Sequence, residues 1–155
     1  MTPKQRLEEL GLELHAFPLP ETSPLRPVLV DGRRAYVSGQ PPAREGKIQY
    51  FGRVGEELSV EDGYAAARQC ALNVLGALEQ ELGELDRIER FVKVVGLVCC
   101  APGFTEQSKV VNGASELFVE LFGANGRHAR TAFGVPALPA GMAVEVEAIV
   151  ALRQP

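Results

Sequence analysis

The chain has 155 residues, of which 46% are hydrophobic and 23% are charged, the composition of an ordinary soluble globular domain. This length suits one domain over residues 1–155, and no apolar run approaches the about 20 residues that a membrane-spanning helix requires. The formal net charge of −4 disfavours an extended surface for DNA or RNA, because such surfaces are basic. We therefore expect a cytoplasmic domain that does not bind a membrane. Its negative net charge also makes us expect no binding of nucleic acid.

The N-terminal segment predicts a short additional helix within residues 1–11. Thr2 can cap this helix, Pro3 suits its first position, and Gln5 completes a capping box with Thr2. The next residues, 12–17, alternate weakly between apolar and polar, as an edge strand would. Residues 17–27 are rich in proline and are expected to form a loop.

A β-hairpin is predicted next along the chain. Residues 28–30 and 34–39 are apolar and β-branched enough for two strands, and Asp31-Gly32 between them is a typical two-residue turn. Gln40-Pro41-Pro42 ends the second strand, because proline cannot continue a ladder of hydrogen bonds. A weaker pattern at residues 48–51 indicates one more short strand.

The middle of the chain predicts a helix, a strand and a second helix. Ser59 can cap a long helix that ends near Gly83, and apolar residues recur along it at helical spacing. Residues 88–100 are apolar and β-branched, as in a buried strand. A second amphipathic helix follows and ends at Gly123.

The cysteines and histidines give no metal-binding pattern. The chain has three cysteines and two histidines, and it contains no C-x-x-C pair of the kind that binds zinc. Cys70 falls on the long helix, and Cys99 and Cys100 fall at the end of the strand that follows it. Free cysteine usually packs as a small apolar side chain, so we expect three buried thiols and no metal ion.

The last part of the chain, residues 130–149, predicts two antiparallel strands around a proline-glycine turn. Arg130 begins the first strand, and Glu145 and Glu147 lie within the otherwise apolar second strand. Charge is disfavoured in a half-buried strand, so these residues suggest a site for a small anion and an acid or base acting on it. In such a hairpin, Arg130 and Glu145 would be about 15 Å apart along the strands. We therefore expect them to meet across a subunit interface or through a sharp bend.

Taken together, the elements predict an α+β domain with two main helices on one face of a mostly antiparallel sheet. The other face of this sheet is left open. Because an open apolar face needs cover, association of several chains is expected. His128, between Arg127 and Arg130, is expected to be a surface loop residue.

The motifs resemble those of the RidA/YjgF family, also described as L-PSP endoribonuclease-like. The resemblance lies in Ser38-Gly39-Gln40 after a hairpin strand, in Asn112 on the second helix, and in Arg130 fifteen residues before Glu145 in a V-E-V-E-A strand. It covers residues 28–152 and indicates a divergent branch of the family. It implies a chorismate mutase-like fold and a homotrimer with a ligand cleft at each subunit interface.

The resemblance also implies an activity and a set of site residues. The better-known members of the family hydrolyse reactive 2-imino or enamine acids to 2-keto acids and ammonia, without a cofactor. By matching motifs, Arg130 would hold the carboxylate of this small ligand and Glu145 would activate the attacking water as the catalytic residue. Ser38, the Gly39 backbone and Asn112 would line the cleft, whereas Glu147 would be structural.

Two departures from the family pattern leave alternatives open. Leu25 stands where members commonly have a tyrosine that faces the ligand, and Ala132 stands where many have a cysteine. The first alternative is therefore a non-catalytic trimer that binds small carboxylates as a regulatory protein. The second is an endoribonuclease or translation inhibitor, which the acidic net charge disfavours.

Overall fold

The computed structural model describes residues 1–154 as three α-helices and seven strands. The helices are α1 (Pro3–Glu9), α2 (Val60–Leu82) and α3 (Gln107–Phe122). The strands are β1 (Val28–Asp31), β2 (Arg34–Gln40), β3 (Ala43–Arg44), β4 (Lys47–Ile48), β5 (Ile88–Cys99), β6 (Ala129–Val135) and β7 (Val144–Leu152). Short 3-10 turns cover Leu85–Arg87, Gly123–Gly126 and Pro139–Gly141.

Five of the strands form one sheet, in the order β1-β2-β7-β5-β6. Neighbouring strands are antiparallel except for β5 and β6, which run parallel. The parallel pair is connected through α3, because parallel neighbours need a long crossover connection. Strands β3 and β4 form a separate two-stranded ribbon. The predicted α+β fold with a mixed, mostly antiparallel sheet is therefore confirmed.

The predicted hairpin between the last two strands is wrong. Both strands exist, but β5 lies between them and pairs with β6 on one side and with β7 on the other. The connection over residues 136–143 includes a 3-10 turn at Pro139–Gly141 and is long enough to cross the end of β5. Turn residues alone do not distinguish a hairpin from such a crossing, because both place proline and glycine between two strands.

The two faces of the sheet have different surroundings. On β7, Val144, Val146, Ala148 and Val150 are buried, whereas Glu145 and Glu147 alternate with them and point to the opposite face. Helices α2 and α3 contribute much of the same core as the buried set, so the helices cover that face. The face that carries the two glutamates is not covered by a helix of residues 1–154.

Helices α2 and α3 cross closely at Gly113, which is buried on α3. A Cβ atom at this position would lie 2.0 Å from the carbonyl oxygen of Tyr64 on α2. Only glycine allows this approach, so the crossing fixes the position of α3 against the sheet. No helix among residues 1–154 combines the length and the apolar character needed to cross a lipid bilayer.

We predict that Gly113→Ala lowers the free energy of unfolding by about 1–3 kcal/mol, the usual cost of forcing an extra group into a packed core. Urea unfolding followed by circular dichroism measures this change. Gln80→Ala, at an exposed position of α2, is the control and should change the free energy by less than about 0.5 kcal/mol. An unchanged stability in Gly113→Ala would contradict the close helix crossing.

The predictions for the first half of the chain are mostly confirmed. The capping box at Thr2 is present, and Ser59 caps α2 as expected. The β1–β2 hairpin also forms, but its two-residue turn is Gly32-Arg33, one residue later than expected, because Asp31 pairs with Arg34 at the end of β1. The strand expected at residues 12–17 is absent. This segment instead crosses α2, where a Cβ atom at Gly76 would lie 2.6 Å from the carbonyl group of His15. Its alternation thus reflects Leu12 and Leu14 packing on the core, not pairing in a sheet.

Candidate functional site

Three of the predicted site residues, Ser38, Gly39 and Glu145, line one cleft. The cleft has a volume of about 250 Å³ and lies between the end of β2, the start of β7 and the proline-rich loop. We call it the glutamate cleft; its walls are mainly apolar, with contributions from Phe17, Leu19, Leu25, Ile48 and Met142. Leu25 therefore lies in the cleft wall, where the family pattern has a tyrosine. The Glu145 carboxylate is the only acidic group among the described residues that line it.

Gly39 leaves room for the Glu145 side chain at the cleft. The pairing of β2 with β7 shifts register between Val37 and Gln40, so Ser38 and Gly39 bulge away from the regular ladder. A Cβ atom at Gly39 would lie 2.7 Å from Cδ of Glu145. The glycine thus provides the space that the carboxylate occupies.

The Ser38 hydroxyl is held by the backbone. Its Oγ donates a 2.7 Å hydrogen bond to the carbonyl oxygen of Arg26, which leaves only its lone pairs for a ligand. Gln40 supports the same bulge, because its Nε2 donates to the Ser38 carbonyl oxygen at 3.0 Å. A serine whose proton is bound to a backbone carbonyl is a poor nucleophile but a suitable acceptor for a ligand N–H or a water molecule.

Glu145 is half-buried, and burial raises the pKa of its carboxyl group. The negative charge of Glu147 on the same strand raises this pKa further. Glu147 itself is exposed and does not line the cleft. A carboxyl group with a raised pKa exchanges protons more readily near neutral pH, as general acid–base catalysis requires.

A stability prediction follows from this raised pKa. Because the folded state disfavours the ionised carboxylate, Glu145 destabilises the fold above its unfolded-state pKa, increasingly as pH rises through the folded-state pKa. We expect Glu145→Gln to raise the thermal midpoint at pH 8 and to change it little at pH 4. The exposed control Glu81→Gln should show no such difference. A lower midpoint for Glu145→Gln at pH 8 would show that the ionised form is stabilised instead.

The other two predicted residues, Arg130 and Asn112, lie together at a second place, which we call the arginine site. Arg130 is on β6, and its Nη1 donates to Oδ1 of Asn112 on α3 at 2.8 Å and to Oγ of Ser115 at 3.1 Å. Its Nη2 donates to the Ser108 carbonyl oxygen at 3.4 Å. Three acceptors spread over about two turns of α3 thus bind both terminal nitrogens of the guanidinium.

The arginine site has a cation without a counter-ion. Within residues 1–154, no carboxylate forms a salt bridge with Arg130. Partial burial lowers the pKa of its guanidinium, because removal from water disfavours the positive charge. Three of its five N–H groups have protein acceptors. The two remaining N–H groups, one on Nε and one on Nη2, can donate two parallel hydrogen bonds to a carboxylate.

The glutamate cleft and the arginine site are on opposite faces of the sheet. Arg130 is level with Val94 of β5, which is buried against the helices, whereas Glu145 is level with Leu97, which faces the other side. The two residues are about 10 Å apart across the strands and about 10 Å apart along them. One chain therefore does not bring Arg130 and Glu145 together. We had expected this separation from a hairpin between β6 and β7, whereas it results from the position of β5 between them.

Sequence reasoning missed two residues of the arginine site, Ser115 and His128. His128 was expected on a surface loop, but it is half-buried and forms a 2.9 Å hydrogen bond to Ser115. A spacing of three residues from Asn112 places Ser115 on the same side of α3, which is the signal that could have revealed it. Within residues 1–154, no cluster of three potential metal ligands occurs.

Comparison with known proteins identifies the family. The family described as "YjgF/chorismate_mutase-like, putative endoribonuclease" matches residues 4–151. The chain belongs to the YjgF/chorismate mutase-like family. Family membership confirms the resemblance to RidA/YjgF proteins.

Individual proteins are similar to this YjgF-family chain over almost its whole length. Protein TCP17 of Trypanosoma cruzi is 46% identical over 148 residues, which cover 95% of this chain and 92% of TCP17. The crystal structure of Atu1372 from Agrobacterium tumefaciens, a protein of unknown function, is 39% identical with a TM-score of 0.91, over 98% of this chain and 94% of that one. A crystal structure from Shewanella oneidensis, described as a "putative endoribonuclease", is 34% identical with a TM-score of 0.93, over 98% of this chain and 100% of that one.

Proposed function

We propose that this YjgF-family protein hydrolyses small 2-imino or enamine acids to 2-keto acids and ammonia in a cleft between subunits. The observation that carries the proposal is the half-buried guanidinium of Arg130, which has no carboxylate partner among residues 1–154 and two N–H groups left for one. A ligand carboxylate would supply the missing charge and the missing acceptors together.

Glu145 supports the catalytic part of the proposal. Hydrolysis of an imine needs a water molecule to add to the imine carbon while a proton passes from that water to the nitrogen. An ionised Glu145 would accept a proton from the water as its oxygen bonds to carbon, and would pass that proton to the nitrogen to give a carbinolamine. It would then take the proton of the carbinolamine hydroxyl and pass it to the nitrogen as the carbon–nitrogen bond breaks, so that a 2-keto acid and ammonia form. The raised pKa of Glu145 suits both steps.

The reaction requires these two groups at one ligand, and we propose that a homotrimer brings them together. The sheet face without helices exposes large apolar side chains, with Leu29 54%, Tyr36 43% and Phe133 43% accessible in the single chain. Apolar side chains gathered on an uncovered face are typical of a protein interface. Arg130 of one subunit and Glu145 of the next would then form the two sides of one cleft.

An alternative proposal is a carboxylate-binding protein without catalysis. It is favoured by Leu25 in the wall of the glutamate cleft and by Ala132, since neither supplies the hydroxyl or thiol that family members commonly have there. Such a protein would keep the arginine site and would bind 2-keto acids without turning over imines. Endoribonuclease activity, named for the family and for one relative, is disfavoured by the net charge of −4.

A coupled assay tests the proposal. Freshly generated 2-iminopropanoate is mixed with the protein, and release of pyruvate and ammonia is compared with buffer. Sedimentation equilibrium on the same sample measures the oligomeric state, which we expect to be a trimer. Turnover above buffer supports the deaminase, whereas binding of 2-ketobutyrate without turnover supports the binding protein. Absence of both would contradict a small-carboxylate site.

A further inference from the structure

Behind the arginine site, three side chains form a continuous line of hydrogen bonds. Nη1 of Arg130 donates to Oγ of Ser115 at 3.1 Å, Oγ lies 2.9 Å from Nε2 of His128, and Nδ1 of His128 lies 2.7 Å from the Gly126 carbonyl oxygen. The line thus runs from β6 through α3 to the turn that follows α3. Ser115 and His128 do not belong to the motifs on which the family resemblance rests.

The Gly126 carbonyl oxygen at the end of this line determines which group donates and which accepts in each hydrogen bond. A carbonyl oxygen can only accept, so Nδ1 of His128 must carry the ring proton that faces Gly126. Burial lowers the pKa of His128, which keeps the ring neutral and leaves Nε2 as an acceptor. The Ser115 hydroxyl therefore donates to His128, and its lone pairs are turned toward the guanidinium of Arg130.

The histidine ring is itself held in place by packing. Its centroid is 5.9 Å from that of Phe118, edge to face, and 6.4 Å from that of Phe91. The carbonyl acceptor is equally fixed, because a Cβ atom at Gly126 would lie 2.1 Å from the Phe118 carbonyl oxygen. The bond line therefore ends in the aromatic core and not in a mobile surface loop.

We propose that Ser115 and His128 are positioning residues that hold Arg130 in the orientation needed to bind a ligand carboxylate. The inference rests on the proposed role of Arg130. Asn112 and Ser115 together accept both N–H groups of Nη1, which fixes the guanidinium plane and turns the remaining pair outward. A free arginine side chain loses considerable rotamer freedom on binding, so ordering it beforehand improves affinity.

The test uses four variants of the full chain. Ser115→Ala removes the acceptor, Ser115→Thr keeps the hydroxyl, and His128→Phe keeps an aromatic ring without its nitrogen atoms. His15→Phe changes the other histidine, which is exposed, and is the matched control. Thermal midpoints confirm that each variant is folded before it is used.

The first measurement is the NMR signal of the Arg130 guanidinium, which needs no ligand. In the wild type, hindered rotation should give separate, slowly exchanging Nη signals. Ser115→Ala and His128→Phe should merge and broaden them, whereas Ser115→Thr and His15→Phe should leave them as in the wild type. Unchanged Arg130 signals in both Ser115→Ala and His128→Phe would overturn the positioning role, whatever the protein binds.

The second measurement is the affinity for 2-ketobutyrate by calorimetry. Ser115→Ala and His128→Phe should each weaken it about tenfold, the value of one hydrogen bond to a charged group. Ser115→Ala should have no further effect when Arg130 is already alanine, because Ser115 acts through Arg130. An equal loss in both backgrounds would mean a general structural role and would overturn the proposal. If the wild type binds no 2-keto acid, the proposed function fails, and the NMR signals still decide the positioning role.

Discussion

Replacing Arg130 with alanine is expected to weaken the binding of 2-ketobutyrate by about 100-fold or more. Two charge-assisted hydrogen bonds to one carboxylate, each of about 1.5–3 kcal/mol, are lost together. The fold should remain, because Arg130 bonds only to half-exposed groups of α3. Isothermal calorimetry on the wild type and on the variant measures the change.

Two further variants make this result specific. Arg130→Lys keeps the charge but cannot present two parallel N–H groups, so it should recover only part of the affinity. Arg127→Ala removes an exposed arginine three residues away and should bind as the wild type does. Equal losses in Arg127→Ala and Arg130→Ala would point to general electrostatic attraction and would contradict a defined arginine site.

The second large effect is expected from Glu145→Gln. The amide cannot take a proton from water, so kcat for hydrolysis of 2-iminopropanoate should fall by about 10²–10⁴-fold, the usual contribution of a general acid–base group. Binding of 2-ketobutyrate should change by much less, because Arg130 and not Glu145 holds the carboxylate. Initial rates of pyruvate release measured at several substrate concentrations separate the two effects.

The matched control is Glu147→Gln, on the same strand and outside the glutamate cleft. We expect its rate at neutral pH to stay within a few-fold of the wild type. Since Glu147 helps to raise the pKa of Glu145, its removal should shift the acid limb of the pH–rate profile to lower pH. An equal fall of kcat in the two variants would contradict the assignment of the catalytic role to Glu145.

The sequence predicted most of the local structure because the local signals were strong. Thr2 and Ser59 each cap a helix, and Gly32 begins the two-residue turn of the β1–β2 hairpin. Helix caps and two-residue turns involve only neighbouring residues, so they are visible in the chain itself. The weak alternation over residues 12–17 failed as a strand signal because packing on α2 gives the same pattern.

Long-range pairing was less predictable. β6 and β7 were expected to pair with each other, yet β5 lies between them in the sheet. The crossover through α3 makes β6 a parallel neighbour of β5, and no local signal in the sequence shows this pairing. This order decides the site, because it places Arg130 on the helix face and Glu145 on the open face. Residue identity suggested both groups, but only the register shows that one chain separates them.

The supporting residues of the arginine site illustrate a second limit. Asn112 came from a family motif, whereas Ser115 and His128 have no motif and are brought to Arg130 by the packing of α3 and its following turn. A histidine beside two arginines resembles an exposed loop when only the sequence is considered. Its burial against Phe91 and Phe118 depends on contacts between distant segments.

A crystal structure of the protein with bound 2-ketobutyrate tests the central claim most directly. We expect the ligand carboxylate to accept two hydrogen bonds from Arg130 of one subunit. Its keto carbon should face Glu145 and the Ser38-Gly39 bulge of a neighbouring subunit. A ligand bound away from Arg130 would contradict a shared cleft between subunits. So would a separation of more than about 10 Å between Arg130 of one subunit and Glu145 of the next, because hydrogen bonds to one small ligand do not span that distance.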